Sequence, residues 1–257
     1  MKKPVNSNGL TQTDFQLVNS RRKFLKTGSL LIAGSSVLFY ACDPDSAEDA
    51  EILNVADAKG FENKKVYNLG KGDIGILNYA YVLEQLEAEF YTQVLDGAYW
   101  ASASMIEKKM LEDIYKHEVI HREFFQTVLS SFDIQPSKRI PELEFDFSSV
   151  DFSDRDSVLG TSIVLEDTGV SAYNGAGDLI ENTDYLLIAG KIVSVEARHA
   201  SAVRSVYLMD DFAFAGDDVV DPVTGLDLAA EPKDVISKVN ATGFIVDKIV
   251  ASALPKK

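Results

Sequence analysis

Thiols are all but missing from this chain of 257 residues, in which Cys42 is the only cysteine. No internal disulfide can form in any compartment, and an iron site built from four cysteines is excluded. Imidazoles are scarce too: His117, His121 and His199 are the three present. Positive charge is in deficit, with 25 Lys and Arg against 40 Asp and Glu. The deficit is uneven, because residues 1–41 carry six Lys/Arg and one acid, which leaves 19 bases against 39 acids in the remainder. So acidic a body repels phosphates and argues against a nucleic-acid partner, while suiting solubility or a mild attraction for cations. No apolar run is long enough to cross a bilayer comfortably; the stretch Thr27 to Ala41 falls short of the roughly 20 residues required. The other proportions, 46% hydrophobic and 25% charged, are ordinary for a soluble globular protein of one large domain or two small ones.

What the chain does contain is one motif written twice. Leu83-Glu84, followed by Tyr91, precedes Glu118-x-x-His121; Leu165-Glu166, followed by Tyr173, precedes Glu196-x-x-His199. Each half reads Leu-Glu-x6-Tyr, then Glu-x-x-His. Four carboxylates and two imidazoles, one Glu or one Glu/His pair per helix, are the ligand set of a two-metal site in a four-helix bundle.

Hydrophobic spacing supplies the helices. The first is expected from about Asp73 to Ala98, with Leu77, Tyr81, Ala88, Tyr91 and Leu95 on the stripe that holds Glu84. The second, Ser104 to Ser130, aligns Leu111, Ile114, Phe125 and Val128 with Glu118 and His121, and Ser104 with Glu107 reads as a capping box. A third, Ser157 to Ala176, aligns Leu159, Ile163, Val170 and Tyr173 with Glu166, although Gly169, Gly175 and Gly177 lower its propensity. The fourth, Asp184 to Met209, places Ala189, Ile192 and Val203 beside Glu196 and His199. No proline interrupts these segments. Between the second and third, Leu143, Phe145, Phe147 and Phe152 mark an extended crossover with one side against the bundle. About 25 residues can span roughly 80 Å, twice the about 39 Å of such a helix. Asp210, Asp211, Asp217, Asp218 and Asp221 read as a solvated acidic loop, and Pro232 suits the start of a short fifth helix to about Ala253.

Glutamates on apolar seams repel one another and lose hydration, so they must be protonated, paired or coordinated. No Lys or Arg occupies the seam positions; Arg122 and Arg198 neighbour the histidines but point about 100° away. Two divalent cations would balance four carboxylates. On helix one Glu87 also lies on an apolar stripe, but its counterpart in the second half is Gly169, whereas Glu84 matches Glu166. Tyr91 and Tyr173 read first as core, with a hydrogen bond to a ligand or a redox role as the alternative, and His117 as an ordinary helix residue facing elsewhere.

The N-terminus reads as an address. Ser20-Arg21-Arg22-Lys23-Phe24-Leu25-Lys26 resembles the twin-arginine export signal. Leu38-Phe39-Tyr40-Ala41-Cys42 resembles a bacterial lipobox, in which Cys42 would be lipidated; Phe39 stands where Leu is usual, and ordinary signal cleavage is the alternative. This divides the chain into residues 1–42 as signal, 43–72 as a flexible tether, and 73–257 as the bundle with a C-terminal extension. The expected location is periplasmic or cell-envelope, with a lipid anchor in the membrane.

The stretch Leu77-Asn78-Tyr79-Ala80-Tyr81-Val82-Leu83-Glu84-Gln85-Leu86-Glu87-Ala88-Glu89-Phe90-Tyr91 and the paired motifs resemble the ferritin-like superfamily, in particular exported proteins related to desiccation-associated ones. The resemblance covers roughly residues 70–250. It implies an all-α, ferritin-like four-helix bundle with one long crossover between helices two and three and a short C-terminal helix. It further implies bridging or terminal metal roles for Glu84, Glu118, Glu166 and Glu196, and terminal imidazoles from His121 and His199. The missing thiols set the chain apart from rubrerythrin-like proteins with their four-cysteine module. Carboxylates with imidazole suit iron or manganese. The first expectation is a di-iron protein, of oxidase or ferroxidase type, that reacts with O2 or peroxide in oxidative or metal stress. The second is manganese with peroxide disproportionation, and the third a non-catalytic, stress-related bundle with a vestigial site. The oligomeric state is left open, although iron storage in a cage fits poorly with a tethered leader and an acidic tail on every subunit.

Overall fold

Four long amphipathic segments must bury their stripes against one another, and they do so as two hairpins. The structure, a computed structural model, describes residues 64–132, 135, 138–210 and 212–256, all within one compact unit. The export signal, Cys42 and the tether as far as residue 63 lie outside the described residues. The elements are strand β1 (Val66–Asn68), helices α1 (Gly72–Asp96), α2 (Ala98–Ser102), α3 (Met105–Ser131), α4 (Arg155–Gly177), α5 (Thr183–Leu208) and α6 (Pro232–Thr242), and strand β2 (Lys248–Val250). Helix α1 packs chiefly against α3, and α4 against α5. The chain between Ser131 and Arg155 makes the crossover from one hairpin to the other. An all-α bundle with a long crossover is therefore what the chain adopts.

The helix starts are written locally. The Ser104 hydroxyl accepts from the Glu107 N–H at 3.2 Å while the Glu107 carboxylate accepts from the Ser104 N–H at 2.9 Å, closing the capping box on α3. Asp154 caps α4 and Asn182 caps α5 through the same kind of side-chain oxygen. Arg155 then ties three helix ends together, donating to Glu107 on α3 at 2.6 Å and to the Val206 carbonyl near the end of α5 at 2.7 Å.

Helix α1 is buried on every side from Gly75 to Ala88, a wider face than one stripe provides. Its extra cover is the crossover. Asn78 donates to the carbonyls of Leu69 and Lys138 and accepts from the Ile140 N–H, and Gln85 accepts from the Leu143 N–H and donates to the Pro141 carbonyl. Two buried amides thus satisfy the first part of this extended segment, and its later part pairs with the C-terminal chain, Asp146 donating to the Phe244 carbonyl and Val246 to the Glu144 carbonyl. Leu143 and Phe147 are buried and Phe145 and Phe152 pack against the core, as the alternation requires.

Three expectations are corrected. The tether does not extend to residue 72: β1 pairs in parallel with β2, Tyr67 opposite Ile249, and Leu69 is fully buried. The C-terminal helix ends at Thr242, eleven residues before Ala253, because Gly243 turns the chain at φ 74° and Asn240 brackets the Ile249 backbone through both of its amide atoms. Of the seam residues, Leu95, Val128 and Ala189 are only partly buried. Of the glycines counted against α4, Gly175 has a packing reason. A Cβ on Gly175 would overlap the carbonyl oxygen of Ala230, where the chain after α5 crosses the helix and Ala230 donates to the Ser171 carbonyl at 2.9 Å.

Candidate metal centre

Six side chains meet midway along the bundle: Glu84 from α1, Glu118 and His121 from α3, Glu166 from α4, Glu196 and His199 from α5. The three-residue step from Glu to His puts both on one face, one turn apart. Glu84, Glu118, Glu166 and Glu196 are fully buried, and His199 retains 4% exposure. His121 is the most open, with 12% of its side chain accessible.

They form two groups that share members, Glu84, Glu118, His121 and Glu196 in one and Glu118, Glu166, Glu196 and His199 in the other. Within each group the candidate ligand atoms all lie within 4.8 Å of one another. His121 Nδ1 is 2.9 Å from Glu196 Oε1, 3.4 Å from Glu84 Oε2 and 3.6 Å from Glu118 Oε2. His199 Nδ1 is 2.8 Å from Glu118 Oε1 and 3.3 Å from Oε2 of both Glu166 and Glu196. Glu118 and Glu196 therefore turn one oxygen toward each group, while Glu84 and Glu166 serve one group apiece.

The remaining oxygens of Glu84 and Glu166 are held by the tyrosines, in a crossed arrangement. Tyr91 on α1 donates to Glu166 Oε1 at 2.5 Å, and Tyr173 on α4 donates to Glu84 Oε1. The equal Glu-to-Tyr step in antiparallel helices makes the two bonds form together. The repeat of that step was the signal for them, and packing alone would not have required it.

The inward atoms have no hydrogen-bond partner: Glu84 Oε2, both oxygens of Glu118 and Glu196, Glu166 Oε2, and Nδ1 of His121 and of His199. Several of these atoms approach one another closely, His199 Nδ1 and Glu118 Oε1 to 2.8 Å, without making a hydrogen bond. Buried acceptors aimed at a common centre are what a cation would satisfy. Oxygen and imidazole donors without thiolate form a hard, borderline set. The residues present fit a metal pair.

Without a cation the cluster strains its own protonation. Burial raises the carboxyls of Glu84, Glu118 and Glu166, with Glu196 adding repulsion, and Glu166 stands at about 7. Burial would raise Glu196 also, but the close imidazoles of His121 and His199 outweigh it and hold it at about 2. For the imidazoles burial works against charge, yet the surrounding carboxylates win; His121 is pushed up to about 12 and His199 is raised as well. Two imidazolium charges thus do part of the balancing that cations would do.

Glu87 is not in either group. It is buried beside them, its carboxylate against Gly169, where a Cβ would stand 3.1 Å from Oε1. Burial, reinforced by all four site glutamates, drives its carboxyl well above the usual range. His117 corrects the sequence reading: its Nδ1 lies 2.9 Å from His199 Nε2, so it touches the site from the rim. A turn of about 100° from Glu118 carries it off the seam yet toward the neighbouring helix, and residue spacing on α3 alone held no sign of that contact.

A family model described as a ferritin-like domain matches residues 72–208, the span from the start of α1 to the end of α5. No curated protein is significantly similar to the chain.

Proposed function

This chain belongs to the ferritin-like domain family, and from that premise we propose that it is an exported two-metal carboxylate protein holding two iron ions, a ferroxidase-type protein that acts on O2 or peroxide in oxidative or metal stress. The observation that carries the reading is the division of labour among the glutamates. Glu118 and Glu196 each offer one oxygen to each group, which suits a bridge, while Glu84 and Glu166 each keep one oxygen on a tyrosine and offer the other inward. His121 and His199 complete the two sets through Nδ1. Two iron ions would supply a pair of one-electron couples with which O2 or peroxide can be reduced. Manganese would use the same donors.

The chain's own residues prepare that chemistry. Tyr91 and Tyr173 fix the rotamers of the terminal carboxylates, so their inward oxygens are aimed before any cation arrives. Apolar walls exclude bulk water and strengthen every charge interaction within. An apolar cavity of about 30 Å³ beside Tyr173, lined also by Ala80, Leu83, Phe125, Ala176 and Ile188, offers a small uncharged molecule a dry space near Glu84. That cavity favours O2 over a charged oxidant. Export is supported by the Ser20–Lys26 motif, and anchoring by Cys42 after the apolar stretch; twin-arginine export of an already folded chain suits a metal loaded before crossing the membrane.

The test is anaerobic loading of the purified chain with Fe(II), followed by separate exposure to O2 and to hydrogen peroxide. The account expects rapid oxidation of two Fe(II) per chain, abolished in Glu196→Ala. Oxidation no faster than free Fe(II) in both arms would contradict it.

A further inference from the structure

The two Glu-x-x-His copies differ in the residue before the glutamate, which is His117 in the first and Val195 in the second. His117 lies at the exposed edge of α3, with Nδ1 2.9 Å from Nε2 of His199 on α5. The ring planes are 9° from parallel and the centroids 5.2 Å apart. That separation equals the N···N distance plus the two ring radii. The rings therefore meet edge to edge in nearly one plane, which is the alignment of a direct N–H···N bond and not of a face-to-face stack. The opposite edge of His199 presents Nδ1 to Glu118, Glu166 and Glu196.

These contacts assign the protons. An imidazole that gives its Nδ1 lone pair to a cation carries its hydrogen on Nε2. In His199 that hydrogen points at His117 Nδ1, which is then an acceptor, and His117 keeps its own hydrogen on Nε2. His121 has no corresponding partner for Nε2 among the described residues.

Resting on the two-metal reading, we propose that His117 is a positioning residue for the Glu166 side of the site: by accepting the Nε2–H bond it holds His199 in the Nδ1-donating tautomer and orientation, and so makes that metal position the tighter of the two. An outer hydrogen bond of this kind both orients a ligand ring and raises its donor strength. The duplicated motif thereby yields two inequivalent positions. The same bond gives the buried His199 a side-chain link to the surface.

Titration of the metal-free full chain with Co(II), followed by its visible spectrum, tests this alongside His117→Ala and His117→Gln. The amide oxygen of glutamine can accept the same Nε2–H. The unaltered chain should take up two ions in two unequal steps. In His117→Ala the tighter step should weaken by about 10- to 100-fold, the weaker step should hold, and His117→Gln should recover most of the loss. In the Zn(II)-loaded, 15N-labelled protein, the His199 Nε2–H proton should be protected and downfield, and should exchange rapidly once His117 is alanine. Two unchanged steps in His117→Ala would overturn the proposal. So would equal weakening of both steps without rescue by glutamine, which would mean that α3 had merely loosened. Failure of the unaltered chain to bind two ions would remove the two-metal reading itself, a result distinguishable from either of these.

Discussion

At the scale of single residues, position within the cluster decides what a substitution should do. Glu118 and Glu196 face both groups, whereas Glu84 and Glu166 face one each. Glu118→Ala or Glu196→Ala should abolish tight binding at both positions, and Glu84→Ala or Glu166→Ala should spare one; elemental analysis after loading with Fe(II) and desalting would separate these outcomes. Helical content by circular dichroism should largely survive in all four. Glu87→Gln should retain two ions, because Glu87 belongs to neither ligand group and burial raises its carboxyl well above the usual range; loss of one ion would make Glu87 a ligand. All six candidate residues were legible in the sequence because duplicated spacing constrains faces of helices. His117 was not, since its contact depends on where α5 lies beside α3, a matter of packing with no period along the chain.

At the scale of elements, the helix ends carry their own chemistry. Burial alone would raise the Glu107 carboxyl, but Arg155 and Ser104 outweigh it and hold it at about 2. A carboxylate with a lowered folded-state pKa contributes stability above its unfolded value, and that contribution is lost as pH falls through the folded value. Glu107→Gln keeps an oxygen for the capping box but removes the charge that faces Arg155, so it should lower the melting temperature at neutral pH, and the difference should shrink as pH falls from 4.5 toward 2. A difference independent of pH would exclude the ion pair as its source. Gly175→Ala should cost about 1–3 kcal/mol by forcing Ala230 off α4, measurable by urea denaturation. The four long helices could be read to within about two residues because their apolar periodicity is strong. The strand pair could not, as three-residue segments carry no period, and α6 was overextended because the Asn240 bracket on Ile249 is a tertiary contact.

At the scale of the whole molecule, the bundle encloses more acid than it can leave charged. In the metal-free protein Glu166 rises from an ordinary 4.5 to about 7, with Glu84, Glu87 and Glu118 also raised. The folded state then keeps protons that the unfolded chain releases, so the contribution of these raised carboxyls is full below pH 4.5 and declines as pH climbs toward 7. Loading should reverse the slope, because cations displace those protons and bind better as pH rises. Melting temperatures of the two forms across that range should diverge, and parallel slopes would contradict the linkage. Mass spectrometry of the mature N-terminus should find a lipidated Cys42; an unmodified cysteine would return the chain to ordinary signal cleavage. The most direct measurement is anomalous X-ray scattering from crystals of the metal-loaded chain. The account predicts two peaks, one among Glu84, Glu118, His121 and Glu196 and one among Glu118, Glu166, Glu196 and His199. A fully folded bundle with no peak there, and protons shared among its carboxylates, would contradict it.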